Sequence, residues 1–317
     1  MAEVQNETML AQAGSMTAAE RIALGHLERT KPRSYINQCW VRFKRNKMAV
    51  AGLVIFILAL CFGFGAPLIS RFVTHTTYAD QNLLYPFEQP GQGGYILGTD
   101  NLGRDVLTRL AYGTRVSMIV ALVAVAVALT IGATLGSLAG FYGRWVDAVI
   151  MRFIDIMLAI PGLYLLILIT ALFTVGPYLL AFVIASLGWL GIARLIRGEI
   201  LSVRQRPYIE ASRVIGASDR RIIVRHILPN VVPIVIVWAT LVIPGLIITE
   251  ASLSYLGLGI QPPVPSLGNM LNGAITFISH SWTLVFIPGA MIFIICLAIN
   301  IFGNGLRDAL DPRVGER

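Results

Sequence analysis

Charged residues are scarce in this chain: Asp, Glu, Lys and Arg together make up 13% of its 317 residues. Soluble globular domains carry about 25% charged residues, so the composition argues against an ordinary soluble enzyme. Hydrophobic residues make up 56% of the sequence, and the mean hydropathy is +0.73. These values predict an all-α polytopic membrane protein.

Cysteine and histidine are also few, with three and four residues respectively. The cysteines stand at spacings that match neither a disulfide framework nor a zinc site. The histidines lie far apart in the sequence, and no H-E-x-x-H motif occurs. We therefore expect no metal site and no catalytic residues in this chain.

Lysine is nearly absent, since the chain has only Lys31, Lys44 and Lys47, and none of them follows a glycine. This excludes a Walker A loop, which needs a Gly-Lys pair to hold the phosphates of ATP. The first ten residues are polar and acidic, so we expect no cleavable signal peptide and a first membrane helix that serves as the signal.

Long apolar runs are what the chain does have. A helix needs about 20 apolar residues to cross the hydrocarbon core. Six segments meet this requirement: Met48–Ile69, Val116–Gly140, Ala148–Thr174, Tyr178–Ile196, Val231–Ala251 and Leu284–Phe302. The third and fourth are separated by a short turn, which predicts that they are antiparallel neighbours.

The positive charges indicate the orientation of these spans. Residues 1–47 hold eight Lys/Arg and residues 194–225 hold eight Arg, whereas residues 252–282 carry no charged side chain. The positive-inside rule then places both termini and the 194–225 region in the cytoplasm. The net charge of +8 is interpreted as this orientation signal and not as nucleic-acid binding.

Local signals refine this picture. Trp40 and Phe43 within a basic cluster predict an interfacial helix before the first span, and the alternative is a frayed basic tail. Pro-Gly pairs at 161–162, 244–245 and 288–289 interrupt three spans, as hinges of a moving pathway or as static kinks.

One segment between two spans is too polar to cross a membrane. Pro207 suits the first turn of a helix over Tyr208–Ile215, and Gly216 suits the left-handed residue that ends it. Ser218 is a suitable N-cap for a second helix over Asp219–Leu228. The sequence therefore predicts a helix, a glycine corner and a second helix, with a small-residue face suited to a groove on a partner protein.

This segment resembles the EAA loop of ATP-binding-cassette (ABC) importer permeases. The pattern is Glu-Ala-Ala, three residues, Gly, nine residues, Ile, any residue and Leu-Pro. Five matching residues stand in register: Glu210, Ala211, Gly216, Leu228 and Pro229. Ser212 replaces the third small residue, and His226 stands at the Ile position, as the peptide/nickel branch of the family tends to show.

Three further stretches extend the resemblance to the C-type subunit of dipeptide and oligopeptide importers. They are LGTDNLGRDVL at 97–107, LSYLGLG followed by QPP at 253–263, and GLRDALDPR at 305–313. The resemblance implies a type I ABC importer permease fold with six transmembrane helices. The implied regions are a tail at 1–47, a first helix at 48–70, an external loop at 71–112, a permease core at 113–303 with a coupling loop at 198–229 and a lid at 252–282, and a tail at 304–317.

The resemblance also implies partners: a second permease of the B type, two ATPases of the D and F types, an external substrate-binding protein and membrane lipid, with no nucleic acid. The ATPases would bind ATP and magnesium, so this chain is expected to be a non-enzymatic permease without a cofactor of its own.

The EAA residues have implied roles in coupling. The first helix would dock on an ATPase, with Glu210 paired to a basic group and with Ala211 and Ser212 on its small-residue face. Gly216 would set the corner, and Leu228 and Pro229 would fix the second helix to span five. The alternative for Glu210 is an ion pair with an arginine of its own helix, Arg206 or Arg213.

Charged residues near the spans are candidates for a gate or a substrate path. Arg152 and Asp155 lie three residues apart on one helix face and are expected to pair with each other or to form an inner gate with the second permease. Arg194 and Arg197 are expected to reach the lipid headgroups. Glu250 would contact a peptide amine or cap the outer mouth, and residues 252–282 would form a partly re-entrant lid or an ordinary surface loop.

The predicted function is therefore a permease subunit that imports di- and oligopeptides into the cytoplasm of a bacterium or archaeon, in the cytoplasmic membrane. The same machine with another cargo, such as a nickel chelate, a murein peptide or a sugar, is the first alternative. A self-sufficient secondary transporter is a second one; that class is typified by intramembrane carboxylates and internal repeats, whereas spans one, two, four and six have no acidic residue in their interiors and no repeat is evident.

Overall fold

The computed structural model describes residues 35–310 apart from Thr174. The expected cytoplasmic tail before residue 35, Thr174 at the end of the predicted third span, and residues 311–317 of the expected C-terminal tail lie outside the described residues. The helices are α1 Tyr35–Arg45, α2 Lys47–Phe64, α3 Ala66–Ile69, α4 Val106–Tyr142, α5 Arg144–Ala159, α6 Gly162–Leu172, α7 Pro177–Arg204, α8 Pro207–Val214, α9 Asp219–Ile222, α10 Leu228–Tyr255, α11 Leu267–Ile275 and α12 Thr283–Leu310. Two π-helical segments, Ser70–Thr74 and Ile223–Ile227, complete them.

The predicted all-α membrane architecture is confirmed. Within the described residues, five continuous helical stretches are long and apolar enough to cross a membrane, and the bent pair α5–α6 makes a sixth. α1 forms a unit of its own. It is a regular helix in which Lys44 Nζ lies 4.9 Å from the centroid of the Trp40 ring, so the alternative of a frayed tail is wrong for these residues.

Two predicted boundaries are wrong because the helices continue beyond their apolar parts. α4 begins at Val106 and not near residue 116, since Asp105 caps it by accepting a hydrogen bond from the Thr108 N–H at 2.6 Å. α12 continues to Leu310, so the expected tail from residue 304 is helical over its first turns. The external loop thus ends before α4, and the hydrophobic pattern marks only the membrane part of each helix.

The three Pro-Gly pairs behave differently from one another. Pro161 separates α5 from α6, which meet at 82°, because the residue before a proline is driven to extended backbone and Ile160 has φ −91° and ψ 128°. Pro244 and Pro288 are buried within continuous helices, α10 and α12. The predicted third span is therefore a broken one.

Two ion pairs connect α5 to α7. The Asp147 carboxylate accepts two hydrogen bonds from the Arg197 guanidinium, and Asp155 Oδ1 lies 2.6 Å from Arg194 Nη2. The two aspartates are about 12 Å apart along α5 and the two arginines only about 4.5 Å apart along α7, from the helical rise per residue. α5 is thus connected to α7 at two points, and the antiparallel arrangement of the predicted third and fourth spans stays a prediction.

The core of the bundle is the close contact between α4 and α7. Gly132, Gly136 and Gly140 recur every fourth residue on the face of α4 that meets α7. A Cβ atom at Gly136 would lie 2.5 Å from the Ala193 carbonyl oxygen, and one at Gly140 would lie 3.0 Å from the Arg197 carbonyl oxygen. Small residues at this spacing let membrane helices approach through their backbones.

The LGTDNLGRD stretch fixes the segment before α4. Asp100 Oδ1 accepts hydrogen bonds from the N–H groups of Leu102 and Arg104, and its Oδ2 lies 2.7 Å from Arg104 Nε. Gly103, with φ +68°, packs so closely that a Cβ there would overlap the Asn82 carbonyl. The motif is therefore a compact turn that leads directly into the cap of α4.

The lid, defined as residues 252–282, is a folded element. After α10 ends at Tyr255, the chain turns back into α11, whose Leu267, Gly268 and Ala274 are buried. Ser266 and Asn269 form a reciprocal capping box at its start. An ordinary surface loop is thus wrong for this region, and its depth in the membrane stays a prediction.

Candidate functional site: the coupling segment

The coupling segment, residues 207–229, begins with a short helix whose start follows from local chemistry. α7 ends at Arg204, and Arg206 turns the chain by donating its N–H to the Val203 carbonyl at 3.1 Å. Pro207 then occupies the first turn of α8, where its missing N–H has no helical acceptor to lose. The predicted helix is confirmed, one residue earlier at each end.

Gly216 ends α8 as the sequence predicts. Its φ of +81° lies in the left-handed region, where a side chain would be strained. The Gly216 N–H donates to the Arg213 carbonyl and the Ala217 N–H donates to the Ser212 carbonyl, both at 3.0 Å. This pair of bonds is a Schellman motif, which satisfies the last carbonyls of the helix.

The second half of the segment differs from the expected separate helix. α9, the π-helical residues Ile223–Ile227 and α10 form one continuous helical stretch from Asp219 to Tyr255. Pro229 has no N–H to offer the preceding turn, and the wider π turn lies directly before it. Ser218 has the extended backbone of an N-cap, but its hydroxyl makes no capping hydrogen bond.

Three isoleucines attach the segment to the bundle. Ile209 on α8, Ile222 on α9 and Ile227 in the π-helical residues have no exposed surface and belong to the main hydrophobic core. Leu228 is half-buried and Pro229 is exposed at the start of α10. The three isoleucines thus anchor the coupling segment in the bundle, and the implied role of Leu228 and Pro229, which is to fix the second helix to span five, stays a prediction.

The opposite face of α8 is open. Ala211 is exposed there, and Glu210 is exposed and forms no ion pair with any residue of the described part, including Arg206 and Arg213. The alternative of an ion pair within the helix is therefore wrong here. Ser212 faces inward in part, with its hydroxyl donating to the Tyr208 carbonyl at 2.8 Å.

Two apolar residues on this open face were missed from the sequence. Val214 and Ile215 are 88% and 83% exposed at the end of α8, whereas the three isoleucine anchors of the same segment are buried. Val214 lies one turn after Glu210 on the same helix face. We name Glu210, Ala211, Val214 and Ile215 the docking face.

The docking face is held rigidly relative to the bundle. The guanidinium of Arg213 lies over the Phe141 ring at 5.6 Å, and Arg204 Nη1 donates to the Phe141 carbonyl at 2.8 Å. Tyr208 packs near His226, with ring centroids 6.4 Å apart. α8 is therefore tied both to the end of α4 and to the base of α10.

The predicted gate residues are separated by the fold. Asp155 pairs with Arg194 and not with Arg152, and Arg197 pairs with Asp147, so the expected mutual pairing of Arg152 and Asp155 is wrong. These pairs also occupy the two α7 arginines that were expected to reach the lipid headgroups. Arg152 itself is exposed on α5 without an ion-pair partner among residues 35–310.

Glu250 lies at the opposite end of α10 from the coupling segment and is 0% exposed. Its carboxylate accepts hydrogen bonds from the hydroxyls of Ser117 and Ser254, at 2.6 and 2.7 Å. Complete burial leaves no surface for a peptide amine in this structure, and the expected role of Glu250 as a cap of the outer mouth stays a prediction.

Comparison with known proteins shows the family to which this chain belongs. Residues 132–316 match the family described as the binding-protein-dependent transport system inner membrane component. The chain belongs to this family. Residues 34–90 match the N-terminal transmembrane domain of oligopeptide transport permease C.

Curated relatives cover nearly the whole chain. The dipeptide transport system permease protein DppC of Bacillus subtilis is 39% identical over 285 residues, which are 89% of this chain and 87% of that protein. The oligopeptide transport system permease protein OppC of Escherichia coli K12 is 39% identical, with 86% and 89% covered. The di/tripeptide transport system permease protein DppC of Pseudomonas aeruginosa is 39% identical, with 89% and 93% covered.

Family membership confirms the recognition made from the four motifs. This chain is a multi-pass permease component and not an enzyme, and its docking face carries two exposed apolar side chains.

Proposed function

We propose that this chain is a permease subunit of an ATP-driven importer that moves di- and oligopeptides into the cytoplasm. The observation that carries the proposal is the docking face, because an exposed carboxylate beside two exposed apolar side chains on a rigidly held short helix suits a groove on another protein. The names of the relatives support peptides as the cargo.

The partner at the docking face is an ATPase subunit. The chain lacks a Walker A loop, so ATP would be hydrolysed by another protein. We infer two such ATPases, of the D and F types, which bind ATP and magnesium, together with a second permease of the B type and an external substrate-binding protein. In this arrangement Glu210 meets a basic group, and Val214 and Ile215 fill apolar pockets.

Movement of the ATPases reaches the pathway through α10. The isoleucine anchors connect α8 to a continuous helical stretch of 37 residues, Asp219–Tyr255. Such a helix is about 55 Å long, from the rise per residue. A tilt imposed at the docking face therefore displaces the Glu250 end of α10, where the lid is attached.

Arg152 and Asp155 are proposed to contribute to an inner gate. Asp155 and Arg194 connect α5 to α7, and the exposed Arg152 presents a cation on the same helix, α5. An unpaired arginine within a membrane is costly, by roughly 2.5–3.5 kcal/mol on insertion scales. A carboxylate of the second permease would remove that cost when the gate is closed.

The proposed location is the cytoplasmic membrane of a bacterium or archaeon, with both termini and the docking face in the cytoplasm. The distribution of arginine supports this orientation, since the coupling segment is basic and residues 252–282 carry no charge. The lid and the turn before α4 then face the outside.

Uptake of a radiolabelled dipeptide tests the proposal directly. The chain is expressed with the proteins that copurify with it, the complex is reconstituted into vesicles, and uptake is measured with and without ATP. Replacing Glu210 by Ala is expected to lower ATP-dependent uptake about tenfold, because the lost charge-assisted contact amounts to about 1.5 kcal/mol or more.

Glu199→Ala is the matched control. Glu199 lies on α7 outside the docking face and its replacement is expected to leave uptake within about twofold of the parent. ATP-dependent uptake of a nickel chelate or a sugar without dipeptide uptake would contradict the proposed cargo. Uptake driven by an ion gradient in the absence of ATPase subunits would contradict the importer mechanism itself.

A further inference from the structure

Glu250 has an arrangement of hydrogen bonds that coupling and import do not by themselves explain. A buried carboxylate is costly unless donors surround it. Here the hydroxyls of Ser117 and Ser254 donate to it, and the side chain of Ser266 in the lid also interacts with it. Ser254 follows Glu250 by one turn on α10, whereas Ser117 belongs to α4.

Each serine also connects the carboxylate to the lid. The Leu267 N–H donates to Ser117 Oγ at 3.2 Å, and the Ile260 N–H donates to Ser254 Oγ at 3.1 Å. A hydroxyl that accepts from a backbone N–H still has its own proton to donate. Each Glu250 oxygen thus accepts a hydrogen bond from a serine hydroxyl that itself accepts one from an N–H of the lid. We call these two chains of hydrogen bonds the Ser117 relay and the Ser254 relay.

The two relays join different parts of the molecule. The Ser254 relay stays within α10 and the turn that follows it. The Ser117 relay runs from α10 to α4 and on to the first residue of α11. The Ser117 relay therefore connects the lid to α4, a helix that would not move with α10 if α10 tilted.

Packing attaches the lid more closely to α10 than to α4. A Cβ at Gly268 would lie 2.3 Å from the Ala251 carbonyl oxygen, so α11 rests directly on the backbone of α10. On the other side, a cavity of about 140 Å³ separates the lid from the turn before α4, with Asp100, Arg104 and Asn272 in its walls. The lid is thus bounded by a cavity beside the turn before α4, while its first residues pack on α4 at Gly113, where a Cβ would lie 3.5 Å from the Leu267 nitrogen.

We propose that Glu250 is a positioning residue that latches the lid to α4, and that the Ser117 relay opens when the mouth opens while the Ser254 relay stays formed. The proposal rests on the proposed function only in taking this end of the bundle as the outer mouth. In the structure described here the latch is closed.

Reactivity of a single cysteine under the lid tests the latch. Ala274 on α11 is 5% exposed and packs in a cluster with Val106 and Leu284. Ala274→Cys is introduced into a chain whose three native cysteines are replaced by alanine. The purified full complex, in nanodiscs without nucleotide, is treated with a membrane-impermeant maleimide, and the labelling rate of this chain is measured.

Ser117→Ala is expected to raise that labelling rate about tenfold, since it removes the partner of both the Glu250 oxygen and the Leu267 N–H. Glu250→Gln keeps the shape but has one acceptor oxygen fewer, and we expect a similar rise. Ser254→Ala is the matched control, with an expected change of at most about twofold, because the connection to α4 is kept.

Size-exclusion profiles and thermal midpoints establish that each variant is folded, and Glu250→Gln carries the test if Ser117→Ala does not yield a folded complex. Equal labelling rates in the parent and in the folded latch variants would overturn the proposal, as would a larger rise in Ser254→Ala than in Ser117→Ala. Labelling does not depend on transport. If the labelling rates are as expected but the complex does not take up peptide, the result would contradict the proposed function and not the latch.

Discussion

Replacing Val214 and Ile215 together by aspartate is expected to abolish ATP-driven dipeptide uptake, with a fall of about a hundredfold or more. Both side chains are more than four-fifths exposed on the docking face. Apolar anchors at the centre of an interface contribute about 2 kcal/mol each or more, and the two new carboxylates would stand beside Glu210. Uptake by the reconstituted complex and the amount of copurifying ATPase are both measured.

Leu83 and Leu84 are the matched control positions for this double substitution. They are adjacent and exposed, and they lie in the segment before α4, away from the coupling segment. Changing both to aspartate is expected to leave ATPase copurification unchanged. Full uptake and full ATPase association in the Val214→Asp/Ile215→Asp variant would show that α8 is not the docking element.

Gly136→Leu is expected to have the second largest effect, this time on folding. Even a Cβ at this position would lie 2.5 Å from the Ala193 carbonyl oxygen, and backbone cannot move aside as a flexible side chain can. Overpacking of a core costs about 1–3 kcal/mol and often more. We expect a poor yield of folded protein and a thermal midpoint lower by about 10 °C.

Gly198→Leu on α7 is the control for the same change of residue. No atom lies within 4 Å of a Cβ built at Gly198, which is exposed. Its yield and thermal midpoint are expected to match those of the parent. A Gly136→Leu variant with an unchanged midpoint would contradict the close packing of α4 against α7.

Features that depend on neighbouring residues were predicted well from the sequence. The short helix after Pro207 and the left-handed Gly216 follow from the conformational limits of proline and glycine. The apolar spans follow from the thickness of the hydrocarbon core. These signals are local, so neither a partner nor a tertiary contact is needed to interpret them.

The Pro-Gly pairs show where local signals fail. Pro161 is exposed and ends a helix, whereas Pro244 and Pro288 are buried within continuous helices. The same dipeptide thus gives a break or a continuous helix according to whether neighbouring helices hold it. That choice is made by tertiary packing, which a hydrophobicity pattern does not contain.

Contacts between residues distant in the chain could not be predicted from the sequence for the same reason. Ser117 and Glu250 are 133 positions apart, and Arg197 and Asp147 are 50 apart. Spacing along one helix suggested the Arg152–Asp155 pair instead. Val214 and Ile215 are visible in the sequence as two adjacent branched apolar residues at the end of α8. Their exposure, which makes them candidates for docking, is known only from the structure.

Photocrosslinking from Val214 tests the central claim, that α8 docks on an ATPase. A benzophenone amino acid replaces Val214 in the full complex in native membranes, with Leu168, exposed on α6, as the comparison position. We predict that Val214 crosslinks to a protein with a Walker A loop and that Leu168 does not. Absence of an ATPase adduct from Val214, in a complex that still imports dipeptide, would contradict the claim.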